Sequence, residues 1–178
     1  IKSNENKIIL DNNYIYIYNK LNNNNFYYRL LFKSIKAIEY ININYDYEFL
    51  IRTNLSTLFN INKIIKYLDN VSKPHCGGLL YKVHKDGIGR SFNQKYDNNQ
   101  NLFLHGTCIC ISSDVVSQLI IDYNNNKVKF IGEYDDDVVF GFYLGEKYKF
   151  INYDSYCKKY IRVSQKNKFD NLDNFFFY

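Results

Sequence analysis

The chain has 178 residues, of which 46% are hydrophobic, 19% aromatic and 23% charged; that is enough apolar material for a core and too much for a disordered chain, so residues 1–178 are read as a single domain. One proline and eight glycines exclude collagen-like and Pro/Gly linker architectures, and no apolar run approaches the roughly 20 residues that cross a bilayer, so no membrane segment is expected. The formal charge of +5 comes from 23 basic and 18 acidic residues dispersed along the chain, a pattern that predicts no dedicated nucleic-acid surface.

In chain order, Tyr14 to Tyr18 alternates tyrosine with isoleucine and reads as a strand. Tyr27, Leu30, Leu31, Ser34, Ala37, Ile38 and Ile41 fall on one helical stripe. Tyr47 to Arg52 is a short apolar run, predicted as a strand covered on both faces. Asn60 is placed to cap a helix that buries Ile61, Ile64, Ile65 and Leu68. Leu79 to Val83 is a strand candidate followed by a turn at Asp86 to Gly89. Leu102 to Ile111 is another, after which Ser112 or Ser113 caps a helix with Val116, Leu119, Ile120 and Tyr123 inward. Lys127 to Ile131 reads as a short strand. Asp135 to Asp137 open a further amphipathic helix, where acidic side chains oppose the positive end of the helix dipole, and Tyr148 to Ile151 closes the core.

The asparagine runs Asn22 to Asn25 and Asn124 to Asn126 read as polar loops. Cys76, Cys108, Cys110 and Cys157 lack a metal-binding spacing and are expected as reduced thiols packed as small apolar residues, with Cys108 and Cys110 on one face of a strand. Strands alternating with helices imply an α/β layer structure with a mostly parallel central sheet. Its ligand crevice would lie beyond the strands' carboxyl ends, near Thr53 to Thr57 and His105 to Thr107.

Three stretches, Tyr47 to Leu68 (YEFLIRTNLSTLFNINKIIKYL), His105 to Gln118 (HGTCICISSDVVSQ) and Asp136 to Leu144 (DDVVFGFYL), together resemble the inverting β-1,3-galactosyl- and β-1,3-N-acetylglucosaminyltransferases, in particular giant-virus proteins of that kind with an R-T-N-L-S segment. The resemblance covers roughly residues 14 to 150. It implies the GT-A fold, a Rossmann-like sheet flanked by helices, here starting after the first nucleotide-binding strand. It also implies transfer of a sugar from a nucleotide donor, a UDP-sugar, to the hydroxyl of a glycan or glycoprotein. The family's Glu-Asp-Val-x-x-Gly falls on Asp136, Asp137, Val138 and Gly141, which gives Asp137 the part of general base. Its Ser-Gly-x-x-x-x-x-Ser unit falls on His105, Gly106 and Ser112. Asp136, Gly106, His105, Thr107, Arg52, Asn54 and Ser56 are then the expected substrate-binding residues. Read without the family, Asp135 to Asp137 are a cap and a dipole-matched first turn, and Gly106 a bend in a strand.

Asn54, Leu55 and Ser56 stand where the family carries the acidic D-x-D segment that holds Mn²⁺ on the donor diphosphate. Neutral oxygens bind a hard cation weakly, and His75, His84 and His105 all precede Asp137, so the family's late histidine ligand is also missing. A metal-free route would need cations on the diphosphate, for which Arg52, Lys158, Lys159 and Arg162 are candidates. Asn54-Leu55-Ser56 is also a glycosylation sequon, whose place in the expected cleft argues against glycan attachment. The competing expectation is a catalytically inactive carbohydrate-binding or structural domain on the same scaffold.

The chain begins at Ile1 and contains no methionine, from which we expect excision from a longer protein. Its abundance of Asn, Ile, Lys, Tyr and Phe suggests an A/T-rich genome, protist or giant virus. The corresponding location is the host cytoplasm or viral factory in one case and the Golgi lumen in the other.

Overall fold

A computed structural model describes residues 7–11, 14–18, 25–54, 57–82, 102–129, 131–153 and 157–159. The chain opens with β1 (Lys7–Asp11) and β2 (Tyr14–Tyr18), paired antiparallel as a two-stranded sheet of their own. Helix α1 (Phe26–Asn44) follows. It starts where the Asn25 side chain accepts the Tyr28 N–H at 3.1 Å, satisfying one of the first-turn donors that no helix can pair internally. Of the predicted stripe Leu31 and Ile38 are buried, and Phe32 and Ile35, which lie outside it, are buried with them.

Next come β3 (Phe49–Arg52), β4 (Thr57–Phe59) and α2 (Ile61–Leu68). Asn60 caps α2 as its sequence position implies, its side chain accepting the Lys63 N–H at 3.1 Å. Ile64 is the buried anchor of this short helix, whereas Ile65, expected inward, is 53% exposed. A hundred degrees per residue carries position 65 off the face that Ile64 occupies.

The central sheet is built from β3, β5 (Cys76–Lys82), β6 (Leu102–Ser112) and β7 (Ile151–Asn152) in the order β3-β6-β5-β7. β6 runs antiparallel to both β3 and β5, and β7 parallel to β5. The sheet is therefore mixed and predominantly antiparallel, which corrects the expectation of a mostly parallel one. The crossover through α2 does join two strands running the same way, β3 and β5, as alternation implies. However, β6 enters between them and takes the hydrogen bonds of both. β5 and β6 are successive strands whose connecting residues gave no helical pattern, and antiparallel neighbours need no crossover helix.

Helix α3 (Ser113–Asn124) leaves the end of β6, and α4 (Asp136–Gly145) follows. Val115, Val116, Leu119 and Ile120 of α3 are buried. In α4 every residue from Val138 to Leu144 is buried, so this helix is apolar all round rather than amphipathic. Lys127 to Lys129 and Ile131 to Glu133 are irregular and turn rather than the expected strand. β7 supplies the expected closing segment, with Tyr148 and Phe150 against the core. β8 (Cys157–Lys159) pairs antiparallel with β4.

Helices α1, α3 and α4 cover one face of the sheet over Leu104, Ile109 and Ile111. α2 covers the other, where Ile64 meets Leu79, Cys108, Cys110 and Tyr153. Cys108 and Cys110 do share a face, and with Cys76 they are buried thiols. Among the described residues no helix is long and apolar enough to cross a membrane. The expected turn at Asp86 to Gly89, Ser56 and Arg162 lie outside the described residues, as do the side chains of Lys158 and Lys159.

Candidate functional site

The site is made by an irregularity in β6. Between the pairs Gly78/Ile109 and Leu80/Leu104, β5 advances two residues and β6 five. The surplus backbone, His105 to Cys108, bulges from the ladder beyond the carboxyl end of β3, where Arg52 pairs with Ile109. Glycine at position 78 permits this course, because a Cβ there would collide with the Cys108 carbonyl.

Freed from the ladder, the Gly106 N–H donates to Asp137 Oδ2 at 2.7 Å. Asp137 sits in the first turn of α4, and its carboxylate is half-buried. Oδ1 makes no hydrogen bond among the described residues. Asp136, one residue earlier, is 2% exposed. Its Oδ2 accepts from Arg52 Nη2 at 2.7 Å and from the Ser34 hydroxyl, and its Oδ1 accepts the Asp137 N–H at 3.0 Å. Three donors on one buried carboxylate offset the loss of water that burial imposes on a charge.

Gly106 has a second role. A Cβ built on it would lie closer than 3.0 Å to Arg52 Nη1 and 3.0 Å from Asp137 Oδ2. The missing side chain thus seats the guanidinium. Nη1 is buried there and has no hydrogen-bond partner among the described residues. The cavity behind Arg52 is lined by Ile38, Leu50, Ile109, Leu119 and Phe140 among others; apart from Arg52 it is apolar, and Asp137 does not line it.

Around this core, Thr53 Oγ1 donates to the Thr107 carbonyl at 3.1 Å, tying the end of β3 to the bulge. The Thr107 side chain is fully buried and meets His105 Nδ1 at 2.8 Å. The Thr107 N–H also donates to that nitrogen at 3.2 Å, so the neutral ring carries its hydrogen on Nε2. The His105 ring lies against Tyr81, centroids 4.4 Å apart and planes tilted by 31°. Asn54 is exposed just beyond β3, its carbonyl an alternative acceptor, also at 3.1 Å, for the single Thr53 hydroxyl hydrogen.

Five of the expected site residues, Arg52, Gly106, Thr107, Asp136 and Asp137, therefore share one contiguous hydrogen-bonded or contacting group, with His105 attached through Thr107. Thr53, expected near the crevice, belongs to it as well, and so do Ser34 and Tyr81, which the sequence did not single out for the site. Ser34 left a signal: it is a hydroxyl on an otherwise apolar helical stripe, and a buried hydroxyl needs a partner.

Asn54 offers a neutral amide where a carboxylate is required, and among the described residues no three His, Cys, Asp or Glu side chains are placed to share an ion.

Two further polar clusters are internal. His75, 3% exposed, reaches Tyr153 Oη through Nε2 at 2.6 Å, with Phe49 and Tyr67 edge-on to its ring. Burial lowers the His75 pKa and raises that of Tyr153, and it pushes the Cys110 thiol up to about 11. Asp122, 1% exposed, accepts from Lys147 and from the Tyr143 hydroxyl at 2.7 Å, and these two bonds hold it below the usual carboxylate range. Burial, then the bond to Asp122, pushes Tyr143 up to about 12.

No protein-family model matches the chain, and no curated protein matches it.

Proposed function

We propose that the chain is a glycosyltransferase domain. It would transfer a sugar, with inversion, from a nucleotide donor to a hydroxyl of a glycan or glycoprotein. The observation that supports this reading is the 2.7 Å bond between Asp137 and Gly106. These residues come from separate elements, each was singled out by its own motif, and a reaction of this class needs both at one place. In the proposed step the acceptor oxygen forms the new bond to the anomeric carbon as its proton passes to Asp137. The bond from that carbon to the donor diphosphate breaks, and its electron pair leaves with the nucleoside diphosphate.

A second reading, an inactive carbohydrate-binding domain, is favoured by the charges at the site. Asn54 is neutral, and the Arg52 guanidinium is engaged by Asp136. The two readings separate in one experiment, in which the chain and its Asp137→Asn variant are incubated with radiolabelled UDP-sugars and glycan acceptors. Transfer or donor hydrolysis lost in the variant supports catalysis, and turnover equal in both removes Asp137 from the chemistry. Calorimetric titration with uridine diphosphate, with and without Mn²⁺, tests the donor and metal expectations. Sugar binding without any turnover would favour the second reading.

A further inference from the structure

We infer that Asp136 is a positioning residue rather than a sugar contact: with Ser34 and Arg52 it clamps the start of α4 so that Asp137 is held on the Gly106 N–H and presents Oδ1 for proton transfer, an assignment that rests on the glycosyl-transfer reading. The acceptor inventory of Asp136 carries the argument. Its Oδ2 faces Ser34 Oγ and Arg52 Nη2, its Oδ1 faces the Asp137 N–H, and the residue is buried. One acceptor direction on Oδ1 is left over, but with Asp136 2% exposed a sugar hydroxyl reaches the carboxylate only by moving the groups that cover it and loosening the bonds they make.

The clamp draws on three separate elements. Ser34 lies mid-way along α1, Arg52 ends β3, and Asp136 begins α4. None of them follows from the helix-cap role that the sequence alone suggests, for the N-cap residue Asp135 makes no side-chain cap bond. Asp137 is then fixed at both ends. Its backbone N–H is committed to Asp136 and its Oδ2 to Gly106. Of its two carboxylate oxygens, Oδ1 alone has no hydrogen bond among the described residues. A carboxylate restrained in this way loses little rotational freedom on reaching the transition state, which is the advantage of a preorganised base.

The test uses the amide of Gly106, whose bonding partner is the Asp137 side chain rather than the sheet ladder. Hydrogen exchange is followed by NMR on the whole chain for wild type, Asp136→Asn, Ser34→Ala and Ser34→Thr. Cys110, within the ladder between β3 and β5, serves as the internal reference. A bond to a charged acceptor is worth about ten-fold or more in opening. Gly106 exchange should therefore accelerate about ten-fold in Asp136→Asn and Ser34→Ala relative to Cys110, and return toward wild type in Ser34→Thr. Where transfer is measurable, kcat should fall with the donor KM little changed. Gly106 exchange at the wild-type rate in a folded Asp136→Asn or Ser34→Ala variant overturns the inference, as does a raised donor KM with kcat intact. Accelerated exchange in a chain that transfers no sugar would sink the transferase reading and leave the clamp standing.

Discussion

The Arg52 guanidinium occupies the volume that a side chain at Gly106 would need. Arg52 cannot swing aside without abandoning Asp136, which is almost completely buried. Gly106→Ala should therefore destabilise the chain by about 1–3 kcal/mol, the range for forcing an extra methyl into a packed region. Urea unfolding monitored by tyrosine fluorescence gives the number, and a loss below a few tenths would mean that the guanidinium relocates freely.

Arg52 pairs with Asp136 through Nη2, while its buried Nη1 has no partner among the described residues. Lysine can reproduce a single charged bond and removes the stranded donor, so Arg52→Lys should lie within about 1 kcal/mol of wild type. Arg52→Ala strips a buried carboxylate of its countercharge and should cost about 2–3 kcal/mol, less than a fully enclosed pair because Arg52 is partly exposed. Equal losses in the two variants would contradict this account.

A different glycine sets the distance between α4 and β6. A Cβ on Gly141 would meet both Cβ and Cα of Phe103 closer than 3.0 Å, so the clash includes backbone that cannot rotate away. Gly141→Ala should cost about 3 kcal/mol, at the upper end for overpacking. Denaturant midpoints for Gly141→Ala and Gly106→Ala, measured side by side, should rank the helix glycine as the more sensitive.

His75 is buried neutral against Tyr153 and has a lowered pKa from burial. The unfolded chain, with an ordinary histidine pKa of about 6.5, binds a proton that the folded chain refuses. Stability is thus fully present above about pH 6.5 and declines as pH falls from there toward the folded pKa, by at most about 1.4 kcal/mol per pH unit. Urea midpoints from pH 8 to pH 5 should show this slope, and His75→Gln should flatten it.

At lower pH the same linkage runs through Asp122, whose pKa is depressed by Lys147 and Tyr143. The stability it contributes is complete above the ordinary aspartate range, about pH 4, and is lost as pH falls through its folded pKa. Asp122→Asn should remove part of the acid sensitivity below pH 4, visible as a smaller drop in Tm between pH 4 and pH 2. An unaltered acid limb would assign that sensitivity to other carboxylates.

The sequence disclosed the helices better than the sheet. Asn60 caps where a polar side chain precedes apolar periodicity, and Leu31, Ile38 and Ile64 face inward as spacing demands, whereas the Asn25 cap is hidden in an asparagine run that reads as a loop. The start of α4 is legible at Asp135 to Asp137, but its all-round burial is not, because the expected amphipathic stripe is absent from DDVVFGFYL, which is apolar on every side after its acidic start. Strand direction escaped too: Phe49 to Arg52 looks the same whether its neighbour is parallel or antiparallel, and only pairing with β6 decides. At the site, motif order brought Asp137, Asp136, Gly106 and Arg52 forward as one set. The partner that completes Asp136 was hidden, because Ser34 lies 102 residues away and nothing local ties the two.

The bulge in β6 also governs which way that strand points its side chains. Leu104 and Ile109 are an odd number of positions apart, yet both lie in the cluster beneath α1, α3 and α4. In an unbroken strand, residues at that separation look to opposite sides. The surplus residues between them let both ends of β6 reach that cluster, so shortening His105 to Cys108 by one would put Leu104 out of step with Leu80. Where homologous chains differ in length, that stretch is where neither insertion nor deletion should be found.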